Sequence, residues 1–273
     1  MPAHRLLKYP LSGAILLRDV NVILCNTGIQ SMKQINIEFS AENTRLPLNY
    51  SSLMLSVIKN VVEASDPGLY NEWFDKTRNL GKSYTFSVSL PRPSFRSDAI
   101  QLDEPRFALS LTTFDVGDLM NLYNAFVGAY QRRQTFLTSG NSFWIRGLSA
   151  QTLPPIGGSS ALVKFESPLI ARLHDRETNR DRFLDYTSPD FVAALRYSAE
   201  RAVAAAGLSC PVDDFELVPV KPRKTVVHYF RNMRITANLG VFEAHGSPAL
   251  LNFLRLSGVG AATGSGHGKF KVL

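Results

Sequence analysis

Five glycines, Gly258, Gly260, Gly264, Gly266 and Gly268, fall within eleven residues of "SGVGAATGSGHGKFKVL", with His267 among them and Lys269 and Lys271 just behind. A single glycine after a helix is a cap, taking the left-handed conformation that other residues avoid. Five exceed a cap. Glycine-rich segments beside helices let backbone N–H groups come close to an anion, and phosphate is the usual one. The mononucleotide and dinucleotide patterns do not fit. Both open a helix after a strand, whereas this segment follows the apolar stretch "ALLNFLRL" and leads into "KFKVL". A longer phosphate backbone is the anion that remains. Lys269 and Lys271 alternate along that strand, so at most one of them faces a ligand lying on the loop.

Other residues offer similar chemistry. "KPRK", with Lys221, Arg223 and Lys224, sets three positive charges around a proline between two strand-like segments, a place for a duplex phosphate to rest. His267 is a candidate to donate to a phosphate or stack on a base, against the competing reading of a surface-loop histidine. The other histidines, His4, His174, His228 and His245, show no metal-ligand spacing, so nothing supports zinc. The charged run "RLHDRETNRDR" reads as a solvated hairpin, with Arg176, Arg180 and Arg182 as secondary candidates for a nucleic-acid groove.

The charge distribution agrees with a polyanionic partner. The chain carries a net +7, and from Leu217 onward eight basic residues face one acidic one, so the final fifth holds an excess equal to the whole. Composition at 45% hydrophobic is enough for a packed core in one large domain or two ordinary ones. Cys25 and Cys210 lie far apart with no CxxC pair, which predicts buried thiols in a reducing cytoplasm rather than a disulfide framework. No stretch approaches the ~20 apolar residues that cross a bilayer, and no signal peptide is read.

Periodicity then gives the elements that must position these groups. Residues 1–31 form an extension of unassigned role. "QINIEF" alternates as a strand; "NYSSLMLSVIKNVVEA" carries Leu53, Met54, Val57, Ile58, Val61 and Val62 at helical spacing; "SDPGLYNEWF" is a cap and a shorter helix. "SYTFSVSL" and "RFALSL" alternate, Asp115 caps a helix through "VGDLMNLYNAFVGAYQ", and "SFWIRGL" is a further strand. The proline and glycine cluster "TLPPIGGSS" marks a boundary. After it come strand "ALVKFES", a helix opened by Ser188, Pro189 and Asp190 and ended by Gly207, strands "DFELVPV", "TVVHYF" and "RITANLGVFEA", a helix opened by Ser247 and Pro248, and the last strand. Each half is the split βαβ arrangement, so the fold class is α+β, with two ferredoxin-like (RRM-like) domains in tandem, at 32–151 and 160–273.

On these residues the chain resembles the repeat-associated RAMP superfamily of CRISPR systems, and more narrowly the endoribonucleases that cut CRISPR repeat RNA into guides. The resemblance covers 32–273. Its most specific part is "GVFEAHGSPALLNFLRLSGVGAATGSGHGKFKV", with "LPLNYSSLMLSVIKNV" and "KSYTFS" matching the N-terminal helix and the strand after it. It implies that the loop of Gly258, Gly260, Gly264, Gly266 and Gly268 contacts the RNA backbone; Lys269, Lys221, Arg223, Lys224 and His267, where the family more often has an apolar residue, complete the RNA-binding set read from the residues. It also implies cleavage without a metal or other cofactor: a ribose 2′-OH attacks the adjacent phosphate and leaves a 2′,3′-cyclic phosphate and a 5′-OH. Such chemistry needs a base, an acid and positive charge beside the phosphorane.

Many members supply a tyrosine on the first helix, a histidine on the next short helix and a lysine before the second strand. Here those positions hold Lys59, Phe74 and Lys82. Phe74 moves no proton, which leaves Lys59 and Lys82 as the candidate catalytic residues, with Lys76 and Arg78 nearby to share the charge. The competing readings are a solvated lysine on the edge of an amphipathic helix and a charge flanking a strand start. The expectation is therefore a metal-independent endoribonuclease acting on CRISPR repeat RNA, with effector-complex subunits or a second copy of the chain as further partners. The alternative is a non-cleaving RNA-binding subunit, favoured by Phe74.

Overall fold

Ile35, Ile37 and Phe39 alternate with Gln34, Asn36 and Glu38, and the chain there extends as β1 (Lys33–Ala41), with the apolar set buried. The structure is a computed structural model; it describes residues 32–75, 82–175, 177–230 and 233–273, the side chains of 224–230 excepted. The expectations placed on 1–31, with His4 and Cys25, and on Lys76, Arg78 and Arg176 lie outside the described residues, as do those on the side chains of Lys224 and His228.

After β1 come the short β2 (Arg45–Leu46), helix α1 (Tyr50–Ser65), helix α2 (Pro67–Phe74) and strand β3 (Tyr84–Ser89). Two-residue strands β4 (Ser94–Phe95) and β5 (Ile100–Gln101) join β2 in a small separate sheet. β6 (Arg106–Thr113), helix α3 (Val116–Gln131), β7 (Thr135–Thr138) and β8 (Asn141–Thr152) complete the first half. The sheet order is β3-β6-β1-β8-β7, antiparallel throughout, with a bulge where β8 passes Glu38 and Phe39. β7 and the small sheet escaped the sequence reading because strands of two to four residues show no countable period.

The second half contains β9 (Ser160–Leu169), the hairpin β10 (Ala171–Asp175) and β11 (Arg180–Leu184), helix α4 (Phe191–Ala205), β12 (Glu216–Phe230), β13 (Met233–His245), helix α5 (Pro248–Ser257) and β14 (Phe270–Val272). Its main sheet runs β12-β13-β9-β14. In both halves the first and third long strands are central neighbours, which is the ferredoxin-like order, and the fold class read from the sequence holds. Helices cover one face of each sheet and enclose two apolar cores, around Phe39, Phe126 and Phe143 and around Phe165, Phe242 and Leu254.

Local signals mostly act as read. Asp115 accepts from the Asp118 N–H at 2.8 Å, Ser247 accepts from the Leu250 N–H at 3.2 Å, and Gly207 ends α4 at φ 66°. Asp190 departs from the reading: its side chain caps nothing in α4 and lies 3.8 Å from Arg182 instead. "KPRK" also departs. Lys221 to Lys224 do not separate two strands but lie inside the 15-residue β12, whose register shifts on either side of them. Gly240, at φ 113°, permits this, since a Cβ there would meet the Arg223 nitrogen at 2.5 Å. Cys210 is half-buried rather than buried. Among the described residues no helix is long and apolar enough to cross a membrane.

Candidate functional site

The stripe on α1 buries Met54, Val57, Ile58, Val61 and Val62, which leaves Lys59 at the rim of that face. α2 is started by Asp66, whose carboxylate accepts from the Leu69 N–H at 3.0 Å, and by Pro67 in its first turn. It lays Tyr70, Trp73 and Phe74 against the core without burying any of them fully. The Phe74 ring is the meeting point. The ammonium of Lys59 and that of Lys82 each stand 5.1 Å from its centroid. Tyr70 and Trp73 continue the aromatic cluster, at 5.3 and 6.3 Å from Phe74, and Trp73 reaches Tyr84 at 5.8 Å.

Two ammonium groups beside one ring repel each other, and the ring's negative face offsets part of that cost, by roughly 0.5–2 kcal/mol per cation. Burial pushes the Lys82 amine below its ordinary value, and the charge of Lys59 adds to the shift. Lys82 therefore gives up its proton more readily than an ordinary lysine.

A polar network fixes the backbone just after it. The Ser83 hydroxyl donates to Asp118 and accepts from Thr113 at 3.1 Å, and the Phe114 N–H donates to the Ser83 carbonyl at 3.4 Å. Burial raises the Asp118 carboxyl, as do Asp115 and Glu72, while the Ser83 bond pulls the other way. No sequence pattern marked Ser83 or Asp118, because their partner positions are set by the β3–β6 pairing.

The glycine segment threads between the two sheets, and protein packing accounts for its missing side chains. A Cβ at Gly258 would press on Thr85, one at Gly260 on the Ile170 carbonyl and one at Gly266 on the Phe86 ring. At Gly268 it would lie 1.8 Å from the Val259 oxygen, and at Gly264 2.6 Å from Lys82 Cβ and Cγ. Three of the five glycine amides are already used: Gly258 donates to Leu254, Gly266 to Thr263 and Gly268 to Pro168. This corrects the reading of the loop as an open cradle of bare amides. Gly264, half-exposed and directly on Lys82, is the glycine that adjoins the lysine pair.

Two residues expected to face a ligand face inward. His267 is 1% exposed, and its carbonyl accepts from the Thr85 hydroxyl at 3.0 Å. Lys269 is also 1% exposed; its ammonium donates at 2.8 Å to both Glu166 and Gln34, joining the second sheet to β1 of the first. Burial lowers the Lys269 amine and Glu166 partly restores it. The two lysines turn to opposite sides: Lys271 is exposed, while Lys269 serves the protein interior. Lys269→Met is expected to cost roughly 2 kcal/mol, read as a lower urea midpoint, because it removes the partner that Glu166 and Gln34 share between the two sheets. The salt dependence of RNA binding should not change. A slope smaller by about one would return Lys269 to the RNA-binding set.

Lys221 and Arg223 are exposed on β12, the sheet edge two strands away from β9, against which β3 packs. They are not part of the Lys59–Phe74–Lys82 cluster. Arg180 and Arg182 lie on the exposed hairpin, where Asp181 accepts from Arg172 at 3.4 Å and pairs with His174 at 2.9 Å. Among the described residues no group of three or more His, Cys, Asp or Glu side chains is gathered to hold a metal ion.

The chain is thus two ferredoxin-like halves joined through a glycine-bearing segment. Residues 151–272 match the family model described as CRISPR associated protein Cas6, C-terminal. Similar solved structures include one described as an RAMP protein binding different RNA substrates, with TM-score 0.73 and 21% identity over 88% of this chain and 99% of that one. A Cas6-related protein from Pyrococcus furiosus gives TM-score 0.73 and 20% identity over 89% and 98%. A Cas6 product complex gives 0.65 and 16% over 89% and 100%. No curated protein matches the chain.

Proposed function

We propose that this protein is an endoribonuclease that binds CRISPR repeat RNA and cuts it by 2′-OH attack, with Lys59 and Lys82 as its catalytic residues. The observation that carries the reading is the convergence of both ammonium groups on Phe74. Residues from α1, from α2 and from the segment just before β3 meet at the three positions that the resemblance had aligned. The bond from the 2′-oxygen to phosphorus forms as the bond to the 5′-oxygen breaks. Lys82 in its neutral form takes the 2′-OH proton, and the Lys59 ammonium protonates the leaving 5′-oxygen. Each ammonium also stabilises the charge on the phosphorane. Phe74 replaces imidazole not as a proton carrier but as the surface that holds the two amines together.

The test is cleavage of a cognate repeat RNA by the purified protein in EDTA, with product ends identified by mass. A 2′,3′-cyclic phosphate and a 5′-OH support the enzyme. Bound but uncut RNA supports the second reading, a non-cleaving repeat-RNA-binding subunit, which the absence of imidazole at Phe74 favours.

A further inference from the structure

The described residues cover only part of the face of the first sheet turned away from its helices. Its residues stand in rows set by strand register. Gln34, Thr112 and Thr85 form one row, and it lies under the second half: Lys269 bonds Gln34, and Thr85 donates to the His267 carbonyl. At the opposite end, Arg106 pairs with Ser40 and Ser40 with Trp144. This row is open, and Trp144 is 41% exposed. Between these ends, small residues Ala108 and Gly147 flank Glu38. A Cβ on Gly147 would stand 3.9 Å from Glu38 Oε2, so the carboxylate leans over the bare backbone of β8. An open cleft of about 470 Å³ lies on the β1–β6 side of this end, lined by Glu38, Ser89, Glu104, Arg106 and Arg146 among others, and Trp144 stands outside its wall across β1. Arg106 pairs with Glu104 at 2.9 Å, while Arg146, the residue extruded by the β8 bulge, makes no ion pair among the described residues.

We propose that this open end is a second RNA site that takes one unpaired guanine nucleotide of a single-stranded segment. The inference rests on the RNA-binding reading above. The cleft is balanced in charge, which suits no bare phosphate track; it suits a ligand with a hydrogen-bond-donating edge and a phosphate at opposite ends. Guanine presents adjacent N1–H and N2–H donors, and the two oxygens of Glu38 accept both. The indole of Trp144, about 10 Å across two strand spacings from Arg106, stacks the base. Arg146 pairs with the phosphate.

The chain has two tryptophans, so Trp73→Phe leaves Trp144 as the sole indole reporter. The hexaribonucleotides UUGUUU and UUUUUU are titrated into this variant while indole fluorescence is read. The expected result is quenching by the guanine oligomer at least tenfold more tightly than by oligouridine. Arg146→Ala is expected to abolish quenching, and Glu38→Gln to bring the two oligomers within twofold. The unmodified chain supplies a check independent of the variant: ultraviolet crosslinking of the guanine oligomer should map to the peptide containing Trp144. Absence of both signals overturns the proposal. So does failure of acrylamide to quench Trp144 in the free protein, because the face is then covered by residues 1–31 or a second copy. Repeat RNA that binds and is cut while Trp144 stays silent sinks this site alone; repeat RNA that does not bind sinks the functional reading.

Discussion

Replacing Lys59 and Lys82 together by alanine is expected to lower single-turnover cleavage of repeat RNA about 10³-fold or more, with RNA affinity falling no more than about tenfold. Removing one preorganised charge from a developing oxyanion typically costs 10²–10³-fold, and two groups on the same phosphorane do not add independently. Folding should survive, since both amines are only half-buried and neither core depends on them. The single variant Lys59→Ala separates charge from position. Without that neighbour one cause of the depressed Lys82 amine disappears, so its value rises toward the ordinary one, although burial still holds it down. Because neutral Lys82 is the base, the ascending limb of the pH–rate profile should move to higher pH. A limb that moves to lower pH, or a double variant that cuts at the unmodified rate, removes these lysines from the reaction.

Gly268→Ala should be the most damaging single change in the terminal segment. Its φ of 69° disfavours any side chain, and the added carbon would sit 1.8 Å from the Val259 oxygen, which neither backbone can relieve without breaking the Val259–Gly268 hydrogen bond. The expected loss is roughly 3–5 kcal/mol, a fall in Tm of about 10 °C. Gly264→Ala offers the contrast. Its backbone is unstrained, and the added methyl meets Lys82 Cβ and Cγ at 2.6 Å, a side chain that can move aside. Stability should change by less than about 1 kcal/mol while cleavage falls tenfold or more, because a displacement near 1 Å at a catalytic group is enough to do so. Equal melting temperatures for the two variants would show that the glycines are not there to fit against protein.

The helices, the caps at Asp66, Asp115 and Ser247, and the tandem ferredoxin-like order were legible because each depends on residues within a few positions of one another. Lys59 and Lys82 were reachable only through the family resemblance, since a half-buried lysine carries no periodic signal of its own. The glycine segment was misread for a physical reason. A missing side chain looks the same in sequence whether it makes room for a phosphate or for a neighbouring strand, and only the packing of Thr85, Phe86, Ile170 and Val259 distinguishes them. Lys269 was misread likewise, because its partners Glu166 and Gln34 lie 103 and 235 residues away. What the sequence alone determined was the set of local elements and the excess of positive charge, both written in short-range pattern and composition. Which cations meet at Phe74 was decided by the packing of α1, α2 and the lead into β3 within the first half, and which glycines and lysines are spent inside the protein by the apposition of the two sheets, contacts that no local pattern records.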